Sequence, residues 1–232
     1  MLRARQIDRR NTHRLIPAQH ADDGASVLAL LSDDPSLLDE IFELDNATND
    51  RLIAESGRSL GIDARELVFG IPSYRVIDAA FCHPAPGGSR FNSSQRGAWY
   101  AAFDLKTSQA EIAYHRALWL RETGWDEEDT ADYADYLADF RAEFHDLREA
   151  KGRKEHAGCL SPDSYAASQV LAAQLLQIGS SGIVYPSVRC AGGTCIACFR
   201  PVLVTYVRKE RSFTLAYAAS SSVANWTMKA QH

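Results

Sequence analysis

Apolar residues along the chain fall in short blocks whose spacing changes near residue 70. Residues 1–70 read as helical and mostly polar-faced. Within them, Pro35 to Leu44 places Leu37, Leu38, Ile41, Phe42 and Leu44 on one stripe at helical spacing. A second short helix is expected from Asn49 to Glu55, stopping at Gly57. From Gly70 to Asp78 the residues Ile71, Tyr74, Val76 and Ile77 predict the start of a strand, and the prolines and glycines of 83–89 predict a loop. A short strand follows at Ala98–Phe103, a helix at Ser108–Glu122 and a strand at Tyr133–Phe144. After a charged loop at 151–162, a helix is expected over Asp163–Ile178 with Val170, Leu171, Ala173, Leu175 and Leu176 inward. Ile183–Val188, Cys195–Val207 and Phe213–Tyr217 complete a set of short strands. Strands outnumber helices after residue 70 and do not alternate as β-α-β, which predicts an α+β fold with a largely antiparallel sheet. Residues 1–70 then form an N-terminal helical segment packed on a core domain spanning 71–220. The acidic stretch Trp125–Asp139 reads as a solvated loop running into a strand.

Composition narrows the function classes. The 232 residues are 46% hydrophobic and 24% charged, ordinary for a globular chain and unlike a disordered one. A net charge of −5 offers no basic face to displace counterions, so no nucleic-acid partner is expected. No apolar run reaches the roughly 18 residues of a membrane span. The Arg-rich start, Met1 to Arg14, lacks the apolar stretch of a secretory signal. A cytoplasmic protein with no membrane partner is the expectation. Cys190, Cys195 and Cys198 have C-x4-C-x2-C spacing, and Cys159 would complete a zinc set. Gly192-Gly193 reads as a turn between them, however, and free cysteine is a common core residue, so no metal is expected.

Common catalytic signatures are missing: there is no glycine-rich Lys-Ser/Thr loop, no G-x-G-x-x-G, no H-E-x-x-H and no G-x-S-x-G. A distributed pattern stands instead. It runs through Gly88-Ser89-Arg90-Phe91-Asn92, then Gly97-Ala98-Trp99-Tyr100, then Ala110-Glu111-Ile112. Much later come Gly182-Ile183-Val184-Tyr185-Pro186-Ser187-Val188-Arg189, Gly192-Gly193 and Cys198-Phe199-Arg200-Pro201. Phe42-Glu43-Leu44, Ala80-Phe81 and His145-Asp146-Leu147-Arg148 extend it. With Arg, Tyr and Glu spaced by ten and eleven residues, the chain resembles the RES-domain family over about Leu15 to Tyr217. These are the toxins of RES–Xre toxin–antitoxin pairs.

The resemblance implies an ADP-ribosyltransferase-like fold, in which a split, strongly bent β-sheet grips NAD⁺ in a cleft. NAD⁺ would be consumed as a substrate, with no cofactor retained. By position, Arg90, Tyr100, Glu111 and Ser187 match the family's arginine, tyrosine, glutamate and serine. A guanidinium suits a pyrophosphate, because its planar fork of donors meets two oxygens at once. Taken alone, Arg90 would read as a loop arginine in a surface ion pair. Tyr100 can offer a ring face to nicotinamide or adenine, or be a half-buried strand tyrosine. Ser108-x-x-Glu111 is a capping-box pattern, so Glu111 has a structural reading beside its catalytic one. In the catalytic reading its charge stabilises an oxocarbenium-like transition state as nicotinamide leaves. Ser187 either donates to the substrate or orients Glu111. His83 and Arg189 lie near these motifs, with cleft-lining and structural roles both open.

Three readings follow. In the first, water or phosphate takes the ADP-ribose and cellular NAD⁺ is depleted. In the second, a specific protein takes it, making the chain a mono-ADP-ribosyltransferase. In the third, the chain only binds NAD⁺ or ADP-ribose. The complete Arg–Tyr–Glu–Ser set argues against the third, since binding alone has no need of the glutamate. The resemblance further implies an Xre-like helix-turn-helix antitoxin as partner.

Overall fold

The computed structural model describes residues 2–21, 61–125, 127–149, 154–218 and 225–231. The helices expected at 35–44 and 49–55 lie outside the described residues. The remainder is an α+β protein built on a seven-stranded sheet.

The sheet is organised around one long strand, β3 (Asp129–Asp146). Its middle, Tyr133 to Ala138, is buried on both faces, while its C-terminal part alternates between core and solvent. Along one side it pairs antiparallel with β1 (Ala4–Pro17), from Ala4 opposite His145 to Pro17 opposite Tyr133. On its other side lie two partners. β6 (Thr205–Ala218) runs antiparallel to the first half, and β4 (Gly182–Pro186) runs parallel to the last two residues. β4 pairs with β5 (Thr194–Cys198), β5 with β2 (Trp99–Ala102), and β2 returns to β1 where His13 faces Ala102. The order β1-β2-β5-β4-β3 therefore closes on itself through the β1–β3 pairing. β7 (Asn225–Ala230) extends the sheet beyond β6. Apart from β3–β4, every pairing is antiparallel.

Several elements differ from the sequence reading. Ala4–Pro17 is a strand where a helix was expected. Its buried residues, Ile7, Thr12 and Leu15, keep neither strand nor helix spacing, because a register shift interrupts it between Arg9 and Thr12. The segment expected to start a strand instead leads into α1 (Tyr74–Cys82), whose buried Val76, Ile77, Asp78, Phe81 and Cys82 form a helical stripe. In α3 (Ala166–Gln177) the inward residues are Ser168, Leu171, Ala172 and Leu175. Val170 and Ala173 lie on the opposite side and are exposed. The expected strand Cys195–Val207 is broken after Cys198 by a 3-10 turn at Pro201–Leu203, where proline supplies no ladder N–H.

The acidic stretch begins as expected, with Glu127 and Glu128 exposed ahead of β3, but its later carboxylates are partnered. Asp129 receives two hydrogen bonds from Arg116, Asp132 one from the Thr214 hydroxyl, and Asp139 one from the Asn11 amide. Asp135 is fully buried against His13. The cysteines do not converge either. Cys195 and Cys159 pack in one apolar cluster, Cys198 and Cys82 in another, and a three-residue offset puts Cys195 and Cys198 on opposite faces of β5. Among the described residues no helix is long and apolar enough to cross a membrane.

Candidate active site

A cleft of about 350 Å³ opens between β1, β2 and the start of α2 (Leu105–Glu122). Arg14, Arg90, Tyr100 and Glu111 line it, with His13 and His115. That volume is in the usual range for small-molecule sites.

Glu111 enters the cleft from the second turn of α2. The helix begins at Asp104, whose carboxylate accepts from the Thr107 amide at 2.8 Å and its hydroxyl at 2.9 Å. The capping work is thus done by Asp104, which leaves the Glu111 carboxylate free for other partners. Ser187 donates to Glu111 Oε1 at 2.6 Å. The Cys195 thiol donates to the same oxygen at 3.7 Å. Next to this carboxylate, burial pushes the Cys195 thiol far up, so it stays protonated and serves as a donor.

Ser187 stands immediately after β4, in a turn that it also closes. Its Oγ accepts from the amides of Arg189 at 3.1 Å and Cys190 at 2.9 Å. The turn can reach the helix because Gly193 lies against it: a Cβ there would meet Thr107 Oγ1 at 2.4 Å. Ser187 does not line the cleft, and its hydroxyl proton points at Glu111. Of the two roles left open by the sequence, the geometry favours orienting Glu111.

Arg90 is 7% exposed. Its Nη1 donates to the carbonyls of Cys159 at 3.1 Å and Ser161 at 2.8 Å, and its guanidinium lies 4.9 Å over the Tyr165 ring. These contacts hold one end of the fork; among the described residues they are the hydrogen bonds it makes. Tyr100 is fixed through its hydroxyl, which donates to Asn92 Oδ1 and accepts from the Phe91 amide, both at 2.8 Å. Burial pushes its phenol well up, so the hydroxyl remains neutral.

Three cleft residues were not singled out from the sequence. Arg14, on β1, donates to the Tyr100 carbonyl at 3.1 Å and sits 4.8 Å over the Trp99 ring. Burial lowers its guanidinium to about 10, and among the described residues its buried Nε has no hydrogen-bond partner. His115 follows Glu111 by one turn. Although its ring is partly open to solvent, desolvation by the cleft walls holds the imidazole below its usual range, against the pull of Glu111. His13, also on β1, binds Asp135. With β1 read as helix, no spacing in the sequence connects His13 or Arg14 to the site; His115 carried the i+4 signal from Glu111. Conversely, His83 and Arg189 do not line the cleft. His83 ends α1, and Arg189 bonds the Pro162 carbonyl while stacking on Tyr114.

The fold and cleft define an α+β protein whose pocket joins a fixed carboxylate to two arginines. The chain belongs to the RES domain family, which matches residues 67–218. Among solved structures, the M. tuberculosis MbcT–MbcA toxin–antitoxin complex is similar at 13% identity and a TM-score of 0.47, over 93% of this chain and 88% of that one. No curated protein matches the sequence.

Proposed function

We propose that the protein cleaves the nicotinamide–ribose bond of NAD⁺ and passes ADP-ribose to water or phosphate, acting as a growth-arresting toxin. The observation that carries this reading is the Glu111 carboxylate, gripped by Ser187 at 2.6 Å in a cleft shared with Arg90, Tyr100 and Arg14. Membership of the RES domain family supports it.

The chemistry follows from the charges. NAD⁺ brings a pyrophosphate, which suits the free end of the Arg90 fork and the Arg14 guanidinium. The Tyr100 ring, fixed at its hydroxyl, offers a flat surface to a base or nicotinamide. Cleavage leaves neutral nicotinamide and positive charge on the ribose. A carboxylate held in place beforehand stabilises that charge without reorganising. At ~4 Å and an effective dielectric near ~20 the attraction is up to about 4 kcal/mol, roughly a thousandfold in rate. Ser187 and Cys195 both donate to Oε1, keeping the carboxylate aimed.

An enzyme draining NAD⁺ would arrest its own host unless held inactive. A tight protein partner covering the cleft, an Xre-like antitoxin, fits this requirement, as does a cytoplasmic location beside the NAD⁺ pool. The test is nicotinamide release by purified protein, wild type against Glu111→Gln. The variant should lose about a thousandfold in turnover with its melting temperature nearly unchanged, because Asp104 caps the helix. A variant that unfolds, or one that turns over normally, refutes the assignment. Label from radioactive NAD⁺ concentrating on one protein band would replace depletion by protein ADP-ribosylation.

A further inference from the structure

His13, on the wall of the same cleft, is paired with the buried Asp135 of β3, and the catalytic reading uses neither residue. His13 Nδ1 lies 2.9 Å from Asp135 Oδ2. The carboxylate is 0% exposed, whereas the His13 side chain is 20% exposed and lines the cavity. Strand register explains the contact. Leu15 faces Asp135 and His13 faces Leu137, so His13 and Asp135 are diagonal neighbours on one face of the β1–β3 ladder. Register shifts flank both, between Arg9 and Thr12 on β1 and between Asp135 and Tyr136 against β6. Bulges of this kind re-aim side chains at functional sites.

The pairing settles the chemistry of the ring. With the Asp135 carboxylate as acceptor, Nδ1 is the donor, and the lone pair of the unprotonated ring then falls on Nε2. Nε2 is then the nitrogen left for the cleft. The other cleft groups are poor bases. Glu111 already accepts from Ser187 and Cys195, and Arg14 and Arg90 are cations. His115 lines the cleft too, but among the described residues no hydrogen bond fixes its tautomer.

We infer that His13, oriented by Asp135, is the general base that activates water in the cleft, so the acceptor of ADP-ribose is water. This rests on the NAD⁺-cleaving reading above and narrows it. The bond between nicotinamide and ribose C1′ breaks, and its electron pair leaves on neutral nicotinamide. The water oxygen bonds to C1′, and its proton passes to His13 Nε2 and then to solvent. The products are ADP-ribose, nicotinamide and one proton.

The experiment compares two nucleophiles. Full-length wild type and His13→Gln are incubated with NAD⁺ and a fixed azide concentration, and products are separated by mass spectrometry. Azide is an anion and needs no base. General-base catalysis contributes on the order of 100-fold, so the variant should lose about that much hydrolysis while azide capture falls only a few-fold. The azide-to-water product ratio then rises by more than tenfold. Equal losses in both products, or no loss, overturn the inference. So does a wild-type reaction in phosphate buffer that yields mainly the phosphorylated sugar. Should His13→Gln fail to fold, wild type in D₂O decides: hydrolysis must slow relative to azide capture, and an unchanged ratio overturns the assignment. A wild type that releases no nicotinamide refutes the functional reading as well. Nicotinamide release with the water share unaltered in His13→Gln sinks only the His13 role.

Discussion

Replacing Ser187 by alanine separates an orienting serine from a substrate-binding one. The substitution removes the 2.6 Å hydrogen bond to Glu111 and leaves that oxygen with the 3.7 Å thiol. A hydrogen bond to a charged group contributes about 1.5–3 kcal/mol, so a loss of this size in the transition state slows the reaction by roughly 10- to 100-fold. The same hydroxyl accepts from the amides of Arg189 and Cys190. Losing both should cost about 2 kcal/mol of stability, a fall of ~4–8 °C in melting temperature for a chain of this size. Nicotinamide release measured over a range of NAD⁺ concentrations should show kcat reduced and KM nearly constant, because Ser187 does not line the cleft. Ser187→Thr keeps a hydroxyl and should recover most of kcat. A raised KM with unchanged kcat would refute the reasoning, for it would place the hydroxyl on the substrate.

Other expectations follow from single contacts. Asp104→Ala removes both bonds to Thr107 and should cost about 1 kcal/mol, typical of a lost N-cap; an unchanged melting temperature would mean that Gly193 packing alone holds the start of α2. Arg90→Lys cannot stack on Tyr165 as a planar fork while reaching two carbonyls, so NAD⁺ binding measured calorimetrically in a Glu111→Gln background should weaken at least tenfold; equal affinity would remove Arg90 from the substrate clamp. Burial holds the imidazoles of His115 and His145 below their ordinary range. Their contribution to stability is therefore complete above the unfolded value of ~6.5 and is lost as pH falls through it toward the folded values. The melting temperature should drop between pH 7.5 and 5.5, less so in His145→Asn; a rise would contradict the sign.

The glutamate, arginine and tyrosine of the cleft were named through the resemblance to the RES-domain family, whose motif here falls on a loop, a short strand and the next helix. The α+β class was legible because most strands after residue 98 carry clear apolar blocks. What sequence concealed lies on β1. Its residues are mostly polar and exposed, its buried side chains are irregularly spaced, and its bulge erases the two-residue period on which strand recognition depends. Arg14 and His13 were hidden with it. Asp135 was hidden differently: among so many acidic neighbours it read as solvated, whereas it is buried with His13 of β1 against its Oδ2. In α1, the β-branched residues suggested a strand, but packing of Val76, Ile77 and Phe81 into the core outweighs that propensity.

The closure of β1 onto β3 bears on the order in which the cleft is assembled during synthesis. Thr12 and Ala138 are 126 residues apart, so β1 has no β3 ladder to join until much of the intervening chain is made. Contacts that distant form late and slowly. The strand that leads to Ser187, and β5 with Cys195, emerge later still. At about 5–20 residues per second, synthesis supplies a long interval in which Arg90, Tyr100 and Glu111 exist but the cleft does not. The cleft is therefore completed only once β5 has emerged, and a nascent chain cut short before β5 lacks Cys195 beside Glu111.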